Sequence, residues 1–222
     1  MRYTQITEEV WQVGGGSLTD PEDAAVYLIR FGEQVALIDA GTGKAHERLA
    51  ANIEKCGVNA SQIEYVFLTH CHYDHTGGAQ RVREAFNCKI VAHELDALYL
   101  EKGDSNVTGA RWYGEVLKLF SVDHKIASPE NSFVLGNRTI QCLHTPGHSP
   151  GSVVYLVESR GKRILFGQDV HGPLDPCLLS NKEDYIRSLK FLLSLRVDIL
   201  CEGHSGIFKG PKDIQSYIRS FL

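Results

Sequence analysis

Apolar and polar positions change their period several times along the chain, and each change marks the edge of a predicted element. Residues 10–13 and 25–31 run apolar or alternate as strands do; Gly14-Gly15-Gly16 and the polar turn at Thr19-Asp20-Pro21 separate them, which predicts a first hairpin-like layer. Val35-Ala36-Leu37-Ile38 is a continuous apolar strand that ends on Asp39-Ala40-Gly41. Over 45–56, Leu49, Ala50, Ile53 and Cys56 share one helical face, so this helix should pack outside a sheet. Residues 63–68 are a β-rich apolar run, Gly77-Gly78 open a helix through about Phe86, and 88–92 is another short strand. His93 then reads as the polar start of a helix through Leu100. Strand, loop, helix, strand is the alternation of a helix-covered sheet.

The period fails over 101–128, where Gly103, Gly109 and Gly114 surround Arg111-Trp112-Tyr113. Two readings stand: a surface helix whose aromatics pack on the core, or a flap that offers Trp112 or Tyr113 as an apolar wall for a substrate. Strand patterns resume at 132–135, 139–143, 152–157, 162–166 and 197–201. Ser180-x-x-Glu183 reads as a capping box before Tyr185, Ile186, Leu189, Leu192 and Leu193 on one face. Pro211 opens a closing helix with Ile214, Tyr217, Ile218 and Phe221 inward.

At 222 residues the chain suits one domain, 1–222, with enough length to bury a two-layer core. A formal net charge of −4, with Lys and Arg scattered, supplies no basic field and predicts no nucleic-acid partner. The first thirteen residues lack the charged, apolar and small-residue succession of a signal peptide, and no apolar run approaches ~18 residues. A soluble cytoplasmic protein with no membrane partner is expected. The six cysteines lie far apart with no paired metal spacing, and are expected to be small buried hydrophobes.

The densest chemistry lies at Thr69-His70-Cys71-His72-Tyr73-Asp74-His75-Thr76-Gly77-Gly78, three imidazoles and one carboxylate within six positions. These are donors that divalent zinc, iron and manganese accept, and crowding them without an ion would be costly; a merely His-rich polar loop is the bland alternative. The stretch joins a predicted strand to a predicted helix, so its ligands would be held at both ends. Asp39, ending a buried strand, needs a partner too. It is either a turn residue or a carboxylate that holds the His70 loop by hydrogen bonds.

His70-x-His72-x-Asp74-His75 resembles the signature of the metallo-β-lactamase-fold hydrolases. The resemblance implies an α/β (α+β) fold, an αββα sandwich of two mixed β-sheets flanked by helices, with metals in a cleft along one sandwich edge. It also implies three later ligands, each at a strand end: His148 in His144-Thr145-Pro146-Gly147-His148, Asp169 in Gly167-Gln168-Asp169, and His204 in Glu202-Gly203-His204. One ion would then be held by His70, His72 and His148 and a second by Asp74, His75 and His204, with Asp169 and a hydroxide between them. The resemblance supports the loop-holding role for Asp39, and His144 is left as a core or supporting histidine. Asp169 stands where the best-known class of true β-lactamases places a Cys, which argues against a β-lactam specialist. Gln168 departs from the usual Gly before that Asp.

Two divalent metal ions are therefore the expected cofactors, zinc first, with iron or manganese as alternatives. A bridging hydroxide at neutral pH makes hydrolysis the expected reaction, with Asp74 as the catalytic residue that ligates and orients it. Tyr73 or His171 is a candidate for a group near the reacting centre, and Trp112, Tyr113 and His171 for the substrate pocket. A thiolate with pKa near ~8.5 leaves without a general acid, so thioesters come first as substrates, then lactones and other activated esters. By motif the chain is most similar to the glyoxalase II-like group. That group carries Gly-Cys-Gly and then Arg or Lys after the bridging Asp, where this chain reads Val170-His171-Gly172-Pro173-Leu174-Asp175-Pro176-Cys177. About eighteen residues follow His204, too few for the helical extension of the larger glyoxalase II enzymes, so the metals carry over and glutathione does not. Two alternatives stand beside the hydrolase: a persulfide dioxygenase with one iron on His70, His148 and Asp169, and a non-enzymic metal-bound sensing module. The expected partner is a small-molecule substrate; the oligomeric state stays open.

Overall fold

Strands that are apolar on both faces must be covered twice, once by another sheet and once by helices, and the chain satisfies this with four layers. The structure, a computed structural model, describes residues 3–222; Met1 and Arg2, part of the stretch read for a signal sequence, lie outside the described residues. The first sheet contains β1 (Thr4–Gln5), β2 (Val10–Gly14), β3 (Val26–Phe31), β4 (Gln34–Ile38), β5 (Ile63–Phe67), β6 (Lys89–His93) and β7 (His124–Ile126), paired in that order. Its β1 to β4 pairings are antiparallel and its β4 to β7 pairings parallel. The second sheet contains β8 (Glu130–Leu135), β9 (Arg138–His144), β10 (Val153–Ser159), β11 (Lys162–Phe166), β12 (Ile199–Cys201) and β13 (Ile207–Lys209), in the spatial order β13-β12-β11-β10-β9-β8. Only its β11–β12 pair is parallel, so both sheets are mixed.

Parallel neighbours need crossovers, and the helices supply them. α1 (His46–Lys55) joins β4 to β5; α2 (Tyr73–Thr76) and α3 (Ala79–Phe86) join β5 to β6; α4 (Glu94–Lys102) leads toward β7. α5 (Lys182–Ser194) joins β11 to β12, and α6 (Pro211–Arg219) closes the chain. Strand β3 shows how the layers form. Val26 and Leu28 pack with Leu49 and Ile53 of α1, while Tyr27, Ile29 and Phe31 alternate to the other face and pack against the second sheet. Between the sheets the Phe67 ring lies 5.2 Å from both Tyr155 and Phe133, at tilted and edge angles. Truncating Phe67 to Ala should cost ~3–5 kcal/mol. Leu165 and Leu200 meet Leu189, Leu192, Ile214 and Ile218 of α5 and α6 on the outer face.

Several local expectations need correction. Asn181, rather than Ser180, caps α5, its side-chain oxygen accepting the N–H groups of Glu183 and Asp184 at 3.0 Å. Ser180 instead donates its hydroxyl to the His148 carbonyl at 2.7 Å. Segment 101–128 is no surface helix: it holds the end of α4, a 3₁₀ turn at Ala110–Tyr113, and β7. Cys177 is exposed while the other five cysteines are buried.

Candidate metal centre

Because β4 and β5 are parallel neighbours, their C-terminal ends coincide, which brings Asp39 beside Thr69. Thr69 donates its N–H to Asp39 Oδ1 and its hydroxyl to Oδ2, both at 2.8 Å. His75 Nδ1–H also donates to Oδ2 at 2.8 Å. With its proton committed to Asp39, the Thr69 hydroxyl can only accept, so His70 donates Nδ1–H to it at 3.0 Å. The consequence is a chosen tautomer: His70 and His75 carry their protons on Nδ1 and turn the Nε2 lone pair inward. Asp39 itself sits at φ 62, a conformation few non-glycine residues adopt, and its three accepted bonds offset that strain.

The second sheet delivers the remaining groups. His148 lies on the loop after β9, and its Nδ1–H donates to the Pro173 carbonyl at 2.9 Å, again leaving Nε2 as a free acceptor. That loop passes so close to α5 that a Cβ on Gly147 would lie 2.2 Å from the Tyr185 nitrogen. Asp169 and His204 follow β11 and β12, whose parallel pairing aligns their ends. Between them, a Cβ on Gly203 would sit 2.4 Å from Asp169 Oδ1 and 3.1 Å from His75 Cε1, so only glycine lets the strand end approach.

The seven side chains converge. The ring centroids of His70, His72 and His148 lie 4.4 to 4.7 Å apart. His204 Nε2 lies 3.0 Å from Asp74 Oδ2 and 3.4 Å from Asp169 Oδ1. His75 Nε2 lies 3.1 Å from the same Asp169 oxygen, and His148 Nε2 3.5 Å from its Oδ2. Ligand atoms of His70, His72, His148 and Asp169 form one group within 4.8 Å of one another, and those of Asp74, His75 and His204 a second. Nε2 of His70, His72, His75 and His148 and Oδ1 of Asp169 are buried with no hydrogen-bond partner. Buried acceptors aimed at one another are costly unless a cation lies among them. This donor set therefore fits divalent ions, imidazole and carboxylate being their ordinary ligands.

The protonation pattern divides the same way. Burial and the neighbouring imidazoles push His70 and His72 well below the usual histidine range, so both are neutral donors. Burial opposes charge on His75 and His204 as well, but nearby carboxylates outweigh it. Asp169, Asp74 and Asp39 hold His75 well above its usual range, and hydrogen bonds to Asp169 and Asp74 raise His204 to about 10. On that side positive charge is wanted, and a metal would displace protons there.

Two supporting carboxylates escaped the sequence pattern. Asp96, fully buried on α4, accepts the Cys71 N–H at 2.8 Å and the Ser149 hydroxyl at 2.6 Å on Oδ2, and the Gly151 N–H at 2.6 Å on Oδ1. One side chain thus holds both His loops. Glu202, also buried, accepts His171 Nδ1–H at 2.8 Å and the N–H groups of His204 and Ser205 at 2.7 Å. For Glu202 the only sequence signal was a charged residue at the end of an apolar strand; for Asp96 there was none.

A cavity of about 280 Å³ opens over this cluster, lined by His72, Asp74, Asp169 and His204 on one side. Trp112, Tyr113 and His171 line it too, with Thr108, Gly109, Pro173 and Leu178. Tyr73 does not: its ring packs 5.6 Å from Tyr113, and it borders a different surface pocket near Lys44 and Glu115. Burial and the Asp74 carboxylate raise the Tyr113 phenol above its ordinary range. His144 stacks on His93 at 3.9 Å, away from the cluster, and donates Nε2–H to the Pro150 carbonyl at 2.9 Å.

The sequence pattern of the metallo-beta-lactamase superfamily matches residues 19–204, so the chain belongs to that superfamily. A probable metallo-hydrolase of Methanocaldococcus jannaschii is 32% identical over 133 residues, 60% of this chain and 62% of that protein; the chain thus spans less than two thirds of that relative's length. An acyl-coenzyme A thioesterase, MBLAC2, of Gallus gallus is 27% identical over 211 residues, covering 83% of this chain and 73% of its own. Among solved structures, the metallo-beta-lactamase GOB-18 of Elizabethkingia meningoseptica superposes with a TM-score of 0.82 and 26% identity, over 100% of this chain and 88% of that one. Two mixed sheets flanked by helices are thus the metallo-β-lactamase fold. Among the described residues, no helix is long and apolar enough to cross a membrane.

Proposed function

We propose that this protein is a metal-dependent hydrolase of a thioester or similarly activated ester, acting without dependence on glutathione. The observation that carries this reading is the convergence of seven His and Asp side chains, with inward atoms of His70, His72, His75, His148 and Asp169 buried and unpartnered. His70, His72 and His148 would hold one divalent ion and Asp74, His75 and His204 a second, with Asp169 facing both. Bound ions of this kind supply a Lewis acid and a water acidic enough to be hydroxide near neutral pH.

The chain's own groups do the rest. Asp39 and Thr69 hold the imidazole tautomers, and Asp74, bordering the cavity, orients the nucleophile as hydrogen-bond acceptor. A leaving group that departs as a thiolate needs no general acid whereas an alkoxide does, so a thioester suits the site better than an ordinary ester. The thioesterase among the relatives supports that substrate class. Segment 170–177, where glyoxalase II-like enzymes carry their glutathione residues, serves the site differently: the Pro173 carbonyl fixes His148, and His171 is bound to Glu202.

The test is metal content together with kcat/KM for S-lactoylglutathione, N-acetylcysteamine thioesters and simple lactones on one preparation. Two ions per chain and turnover of non-glutathione thioesters are expected. A clear preference for the glutathione thioester overturns the carrier, oxygen uptake with a persulfide overturns the reaction class, and full metal loading with no turnover turns the protein into a sensing module.

A further inference from the structure

We infer that the cavity selects a short, uncharged, apolar acyl group and rejects an acyl group that ends in a carboxylate, an inference that rests on the hydrolase reading above. The wall opposite the His and Asp cluster is built from Trp112, Tyr113, Thr108, Gly109, Pro173 and Leu178. Leu178 is buried and reaches the 3₁₀ turn: a Cβ on Gly109 would lie 3.5 Å from its Cδ2, so the wall is continuous there. Trp112, by contrast, is 56% exposed although its ring borders the cavity. An exposed indole at the rim of a site is apolar surface that a ligand can cover.

Charge decides the class of ligand. Among the described residues, the lining contains no lysine or arginine, and the imidazole of His171 is paired through Nδ1–H with the buried Glu202 carboxylate at 2.8 Å. The nearby Lys44 is taken up by Glu22 at 2.5 Å and Glu115 at 3.3 Å. A carboxylate pushed against this wall would lose water and gain no counter-charge, whereas a methylene gains roughly fourfold in affinity on burial. Size decides the length. About 280 Å³ lies just below the ~300–1,000 Å³ of ordinary small-molecule pockets, enough for a short acyl chain and too little for a carrier. The bulk of the carrier beyond the scissile sulfur therefore stays outside, and selectivity falls on the acyl end.

Calorimetric titration of the metal-loaded protein with non-hydrolysable N-acetylcysteamine thioethers tests this without turnover. The S-hexyl compound should bind at least about tenfold tighter than the S-ethyl and at least about tenfold tighter than the S-(4-carboxybutyl) compound. Trp112→Ala should lower S-hexyl affinity about tenfold with metal content unchanged. Trp112→Lys, at an exposed position, should shift preference toward the carboxylate. Equal or tighter binding of the carboxylate ligand to the unmodified protein overturns the inference. The two readings separate in kinetics on hexanoyl and succinyl thioesters of the same carrier. Faster succinyl turnover overturns the acyl selectivity alone; tight S-hexyl binding with no turnover supports the selectivity and overturns hydrolysis.

Discussion

Asp96 Oδ2 accepts the backbone N–H of Cys71, the residue between two of the imidazoles, at 2.8 Å, while its other oxygen accepts Gly151 N–H beyond His148. A single carboxylate on α4 therefore sets the spacing of two loops from different sheets.

Asp96→Asn keeps the shape but turns one acceptor into a donor facing an N–H. Metal affinity, measured by competition with a chromogenic chelator, should fall by ~10 to 100-fold, as for other groups that orient ligands from behind. Unchanged affinity would return Asp96 to a purely structural role. Asp39→Ala should act similarly through Thr69, His70 and His75, and an unaltered metal content would make Asp39 a turn residue only.

Gly203→Ala places a methyl where Asp169 Oδ1 lies. The strand end must move, carrying His204 with it. Metal retention should drop by ~10-fold or more, while the apparent melting temperature of chelated protein changes far less. Equal losses in both would show that Gly203 serves the fold and not the site.

His93 is pushed down to about 4 by burial, with His144 adding to the effect. In the unfolded chain an ordinary histidine titrates near ~6.5, so between those values the unfolded state binds more protons. Stability from keeping His93 neutral is therefore full above about 6.5 and lost progressively as pH falls toward about 4. Urea midpoints at pH 7 and pH 5 should differ more for the wild type than for His93→Asn, which retains a side-chain acceptor for the Leu95 N–H. Parallel pH profiles would rule this out.

Much of the site was legible because most of its segments have the same grammar, an apolar run followed within one to three positions by His or Asp, as at Leu68 to His70, Phe166 to Asp169 and Cys201 to His204. A buried strand that stops at a polar group can hardly hide it. Asp96 was not legible, since its partners lie 25 to 55 positions away and nothing local distinguishes it from an exposed helix acid. Strands β7 and β13 span three residues each, too few to show a period, and they form because neighbouring strands recruit them. Asn181 displaced Ser180 as the α5 cap because the Ser180 hydroxyl was already committed to the His148 carbonyl.

The ligand groups come from both sheets, Asp74 and the early imidazoles from the first half of the chain and His148, Asp169 and His204 from the second. An ion held by Asp74, His75 and His204 would also be a cross-link closing a loop of about 130 residues between positions 74 and 204, and its binding energy would add to the free energy that keeps the sheets face to face. The sheets are already keyed to each other where the Tyr27 and Tyr155 hydroxyls donate across the interface to the Glu202 and Leu68 carbonyls at 2.7 Å, so a clasp at the edge would tighten a register the core has set.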